Sequence, residues 1–137
     1  MKVIRSIPMF AYLLIFYNVF LFQGVADAHL KILAQTILVI PLQKATVTAT
    51  LGDVLIMVGV GALYVELFKA TRSSDASILD HMLSMMVFVV FLVEFLLVAA
   101  AGTVTFLTLT LMSFLDVVAG FTVTISASRR DFSSSRN

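Results

Sequence analysis

Six residues of this chain have the chemistry to hold or pass a proton within an apolar setting: Glu94, Asp116, Glu66, Asp53, Asp80 and His81. An ionised carboxylate in hydrocarbon costs several kcal/mol, so an acid inside an apolar segment faces a protein interior and marks function by default. Two chemistries fit. One is a relay for protons or a small cation running Asp53, Glu94, Asp116 with Glu66, and Asp80-His81. The other is structural: acids kept neutral by burial and hydrogen-bonded to Ser84, Ser113, Thr105 or Thr108, acting as glue between helices. Other chemistries lack an anchor. With no cysteine there is no disulfide, thiol nucleophile or thiolate metal site. His29 and His81 lack a second ligand one helical turn away, so no metal site is expected. No G-x-S-x-G, P-loop or glycine-rich dinucleotide turn occurs, so neither a catalytic residue nor a cofactor is expected.

The surroundings of these acids are set by composition. Of 137 residues, 61% are hydrophobic and 12% charged, against about 25% charged in soluble domains. Together with a mean hydropathy of +1.08, this excludes a water-soluble globular domain. A net charge of +1 gives no basic field for nucleic acid. The lipid bilayer is the expected partner, with a second copy or another membrane protein also open.

The elements expected to position the acids are four membrane-spanning helices at about residues 8–23, 51–68, 78–101 and 103–125. The fold class is therefore an all-α four-helix membrane bundle forming one domain. In the first span Asn18 is the only strongly polar side chain from Met9 to Phe22. That segment also reads as a secretory signal, with Lys2 and Arg5 before an apolar middle and Ala26-Asp27-Ala28 as a cleavage site; its many bulky aromatics and the lengthening by Ile7 and Pro8 argue for a retained helix. Residues 24–50 form the connection on the periplasmic side. There Thr36-Ile37-Leu38-Val39-Ile40 is rich in strand formers, Pro41 ends it, Gln43-Lys44 makes a polar turn, and residues 45–50 alternate with period two. A short β-hairpin at the membrane surface and an irregular loop both fit.

Asp53 sits where a carboxylate favours a helix N-terminus. Ser73-Ser74-Asp75 turns the chain between the second and third spans, and Ala101-Gly102-Thr103 reverses it before the fourth, Gly102 permitting a tight connection. Residues 126–137 are a polar, frayed cytoplasmic tail. Lys2, Arg5, Lys69, Arg72, Arg129, Arg130 and Arg136 fall on one side of the spans, and Lys31 and Lys44 on the other. That asymmetry sets both termini in the cytoplasm.

Helical periodicity predicts which faces turn inward. Asp80, Ser84, Val87, Phe91, Glu94, Val98 and Ala101 share one stripe of the third span. Thr105, Thr108, Ser113, Asp116, Ala119 and Gly120 share one side of the fourth. Gly52, Gly59, Ala62 and Glu66 form a small-residue face on the second, suited to close helix approach. At 1.5 Å per residue, Glu94 lies on the order of 10 Å, and Asp116 and Glu66 roughly 20 Å, below the outer turn. Glu66 and Asp116 are therefore placed to share a polar cluster, with Glu94 at another level.

Several strings resemble a family of small, uncharacterised bacterial inner-membrane proteins with four predicted helices. They are Leu51-Gly52-Asp53, residues 65–72 (VELFKATR), Ile78-Leu79-Asp80-His81, Val93-Glu94-Phe95, residues 115–121 (LDVVAGF) and Arg129-Arg130-Asp131-Phe132. The resemblance covers residues 51–132 and implies fold and inner-membrane location, with no activity, substrate or catalytic residue. Small multidrug exporters share the size and span number, but carry an acid in the first helix where this chain has Asn18. The expectation is a non-enzymatic accessory or structural membrane protein, the alternative being an oligomeric proton- or cation-coupled transporter or channel using the intramembrane carboxylates.

Overall fold

The structure, a computed structural model, describes residues 7–21, 28–71 and 76–134. In chain order these form α1 (Met9–Phe16), continued by a π-helical turn (Tyr17–Leu21), then α2 (Ala28–Leu33), β1 (Thr36–Pro41), β2 (Thr46–Thr50), α3 (Leu51–Ala70), α4 (Ala76–Leu97), a 3-10 turn (Ala99–Ala101) and α5 (Val104–Ser134). The molecule is mostly helical, and three helices, Leu51–Ala70, Leu79–Leu97 and Val104–Val123, are long and apolar enough to cross a membrane. Lys2, Arg5, Arg72 and Arg136 of the charge count lie outside the described residues. So do the turn Ser73-Ser74-Asp75, the end of the first predicted span at 22–23, and Ala26-Asp27.

Between α1 and α3 the chain forms a hairpin rather than an irregular loop. β1 and β2 pair antiparallel, with Leu38 opposite Ala49, Val39 opposite Thr48, and Ile40 opposite Val47. Leu42 N–H donates to Ala45 O across the turn at 2.7 Å. The strand-forming run ends at Pro41, which has no N–H to continue the ladder. β2 runs directly into α3 because Thr50 ends one and caps the other. Its hydroxyl accepts from Asp53 N–H at 3.3 Å and its own N–H donates to Asp53 Oδ2 at 2.9 Å, a reciprocal capping box.

α3 and α5 run parallel and touch along glycines. A Cβ on Gly52 would stand 2.7 Å from Thr105 Oγ1, and one on Gly59 2.7 Å from Leu109 Cδ2. α4 runs antiparallel to both. Phe91 lies beside Phe106 with ring centroids 5.3 Å apart, Phe88 beside Phe114 at 5.3 Å, and His81 against Gly120. α1 joins the core through Phe10, Leu13, Leu14 and Tyr17. Phe10 meets Phe91 edge-on, and Tyr17 meets Phe106 likewise at 4.8 Å. Opposite this core the helices show apolar side chains outward, among them Tyr64, Met82, Met86, Leu96, Leu97 and Val104.

The inward faces follow the predicted stripes. Gly52, Gly59, Ala62 and Glu66 are buried on α3, as are Ser113, Asp116 and Gly120 on α5 and Ser84 and Phe91 on α4. Val98 departs from its stripe. α4 ends at Leu97, four residues before the predicted boundary, and Val98 is extended (φ −102°, ψ 112°) and exposed. The reversal uses the 3-10 turn, with Gly102 at an ordinary φ of −71°. Gly102 is needed for space instead, since a Cβ there would meet Ala99 O at 3.2 Å. Beyond residue 125 the backbone stays helical to Ser134 instead of fraying.

These contacts predict opposite outcomes for two glycines. Gly120→Ala places a Cβ 2.5 Å from the His81 ring and should lower stability by about 1–3 kcal/mol, as overpacking does. Gly61→Ala, with nothing within 4 Å, should be tolerated. Unfolding in detergent checks both, and equal effects would contradict the α4–α5 packing.

Candidate functional site

Glu66 is the most enclosed acid among the described residues, at 2% exposure, and it is fully partnered. Lys69, one turn on along α3, donates from Nζ to Glu66 Oε2 at 2.9 Å and Oε1 at 3.2 Å. The same ammonium reaches across to α4 and donates to Asp80 Oδ1 at 3.3 Å. The third partner is backbone. Pro8 precedes α1 and has no side-chain acceptor to cap it, and Met9 N–H donates to Glu66 Oε1 at 2.6 Å. A carboxylate from α3 thus caps α1, where unpaired N–H groups and the helix dipole favour negative charge.

Asp116 reaches the same group from α5. Its carboxyl, 6% exposed, is hydrogen-bonded by Ser84 of α4 and lies within electrostatic range of Glu66, Asp80 and Lys69. Its Oδ2 has no hydrogen-bond partner, nor has the hydroxyl of Ser113 one turn away. His81 follows Asp80 on α4 and packs its ring against Gly120 and, at 6.2 Å between centroids, Phe121. Asp80, Asp116 and Glu66 therefore converge at the end of the bundle where α3 passes to α4, with His81 at its edge.

Glu94 belongs to a second group. Asn18 donates from Nδ2 to both its oxygens, at 2.9 Å and 3.1 Å, and also to Leu14 O at 3.0 Å. Glu94 lies fourteen residues from Asp80, about 21 Å along α4 at 1.5 Å per residue. Near it, Tyr17 OH and Thr103 Oγ1 share a hydrogen bond of 2.9 Å, while Thr103 also accepts from Phe106 N–H as the cap of α5. Asp53 joins neither group. It is exposed and committed to the capping box at the hairpin end of α3. The five acids and the histidine thus form two groups and a cap, rather than one chain of neighbours.

Of the four hydroxyls expected to satisfy the acids, only Ser84 does so. Thr108 donates to Val104 O of its own helix, Thr105 packs on Gly52, and Ser113 is unpartnered. The partners that matter most, Lys69, Asn18 and the Met9 amide, were not among those expected. Lys69 carried a signal, since Glu66 and Lys69 stand at helical i,i+3 spacing. So did Asn18, a lone amide in an apolar segment. No spacing rule points to the Met9 amide, which depends on tertiary placement.

Among the described residues there is no group of three His, Cys, Asp or Glu that could hold a metal ion. No family model, curated protein or solved structure matches the chain.

The ion-pair geometry sets a testable order of stabilities. Lys69→Met strands Glu66 and Asp80 and should cost about 1–3 kcal/mol, less than a fully buried pair because Lys69 is 27% exposed. Adding Glu66→Gln and Asp80→Asn to Lys69→Met should recover most of the loss. A triple variant as unstable as Lys69→Met alone, in detergent unfolding, would show that charge pairing is not what stabilises this end.

Proposed function

We propose that the chain is a small, non-enzymatic integral membrane protein of the bacterial inner membrane, with an accessory or structural role. In this reading it spans the bilayer four times, with both termini cytoplasmic. The observation that carries it is the sorting of polarity. Large apolar side chains crowd the outer faces of α3, α4 and α5, while Glu66, Asp80 and Glu94 are matched inside by Lys69, the Met9 amide and Asn18. Acids given hydrogen-bond or ionic partners from within are what a bundle needs to stand in lipid.

The fourth span is supported by the contacts of α1. Met9 meets Glu66 near the α3–α4 end, and Tyr17 meets Thr103 at the hairpin end. This helix therefore lies antiparallel to α3 and passes between the two levels. From residue 9 to 21 it covers about 20 Å of the roughly 30 Å hydrocarbon layer. Cleavage at Ala26-Asp27-Ala28 would remove four buried core residues and the partner of Glu94, which favours a retained helix. The inner-membrane assignment rests on the resemblance in residues 51–132, and the orientation on the Lys/Arg asymmetry.

A proton- or cation-coupled role is the second reading, favoured by the unpartnered Asp116 Oδ2 and Ser113 Oγ. Against a relay through all six residues stands the separation of Asp53 and Glu94 from the Glu66 group. Reporter fusions after Asn137 and after Thr71 should report cytoplasm, and one after Lys44 periplasm; a periplasmic C-terminus would overturn the topology. In proteoliposomes under a proton gradient or membrane potential, the structural reading predicts no flux. Flux abolished by Glu94→Gln or Asp116→Asn would replace it with the transport reading.

A further inference from the structure

Ser113 and Asp116 stand one turn apart on the face of α5 that meets α3 and α4, 1% and 6% exposed, and each keeps an oxygen without a partner. A buried acceptor left unpaired forfeits its hydration with nothing in return, and more so when charged. Their height in the bundle is fixed on both sides. Met112 lies against Gly59, while Asp116 meets Ser84 and the field of Glu66. Ser113 falls between those levels, so both oxygens belong to the junction of three helices.

The charge around that junction is unbalanced. Glu66 and Lys69 act on Asp116 from α3, and Asp80 from α4. Lys69 is already shared between Glu66 and Asp80. From α4 the Ser84 hydroxyl also bonds Asp116, and His81 stands a turn further along against Gly120. From α1 the junction receives only the Met9 amide, which is taken by Glu66. Among the described residues three carboxyls thus face one ammonium, and a low-dielectric interior does not tolerate surplus negative charge.

We propose that Ser113 and Asp116 form a proton-binding site, in which Asp116 Oδ2 carries one exchangeable proton and donates it in a hydrogen bond to Ser113 Oγ. A single proton answers both defects. It turns Oδ2 from an unpaired acceptor into a donor, supplies Ser113 with a partner after a side-chain rotation, and removes one negative charge. The proton comes from water and returns to water, the O–H bond at Oδ2 forming and breaking with no other group altered. A proton fits better than a metal ion because, among the described residues, no three His, Cys, Asp or Glu are arranged to hold one. The inference rests on the membrane reading only in that lipid keeps water from the outer face of α5.

Infrared spectroscopy of the full chain in a maltoside detergent, which has no carbonyl of its own, tests this directly. At neutral pH the wild-type protein should show a protonated-carboxyl C=O band that shifts in D2O and disappears in Asp116→Asn. Ser113→Ala, which removes only the hydroxyl, should keep the band and move it to higher frequency. No such band in the wild type, or one that survives Asp116→Asn, would overturn the proposal. A band unmoved by Ser113→Ala would overturn the Ser113 contact. A missing band together with a melting temperature raised by sodium chloride but not choline chloride would give the site to a metal cation instead. Because none of these readings depends on crossing a bilayer, their failure is separate from failure of the reporter-fusion topology.

Discussion

Neutralising the Glu66 carboxylate is the constraint on which the rest of the arrangement turns. At 2% exposure among apolar helices, it needs positive charge or N–H donors on every open lone pair, because an unpaired buried ion costs far more than a hydrogen bond returns. Three elements meet that need together. The end of α3 brings Lys69, the start of α1 brings the Met9 amide, and Lys69 in turn draws in Asp80 from α4. One side chain thereby fixes where three helices begin or end. In lipid this weighs more than it would in water, since apolar burial between helices supplies little driving force and packing and polar contacts carry association.

The same logic explains the first helix. It is short and its core residues are few, yet it is held near both ends, by Glu66 at Met9 and by Glu94 and Thr103 at Asn18 and Tyr17. Asn18 also bonds Leu14 O, the carbonyl that a regular helix offers to the amide of residue 18. Side chains that bond the carbonyl four residues back compete with the backbone ladder and bend helices. The passage from α-helix to a π-helical turn at Tyr17–Leu21 occurs where that competition begins. Between the two polar contacts, the edge-on and tilted rings of Phe10, Phe91, Phe106 and Tyr17 fill the interior.

Much of this was legible in the residues. The long helices, the hairpin after Thr36, the cap at Asp53 and the inward faces of α3 to α5 follow from hydropathy, periodicity and capping chemistry, which are local. So does the shared depth of Glu66 and Asp116, which follows from helical rise alone. What the sequence did not disclose is pairing across helices. Thr108 and Ser113 looked as suitable as Ser84 for bonding an acid, yet one turned back to its own helix and the other found no partner. Lys69 entered only as one of the charges on one side of the spans, and became the bridge between two acids. Side-chain partners depend on rotation and rise of whole helices by a few ångströms, and a one-dimensional pattern carries no such information.

If polar contacts rather than apolar packing hold the first helix to the other three, hydrogen exchange of the backbone amides at residues 9–18 will show it. The comparison is between the wild-type chain and a Glu66→Leu, Asn18→Leu double variant in the same detergent. These amides should lose protection in the variant while those in the middle of α3 and α5 keep theirs. Protection at residues 9–18 that is unchanged in the variant would contradict it, and would assign the attachment of α1 to Phe10, Leu13, Leu14 and Tyr17 alone.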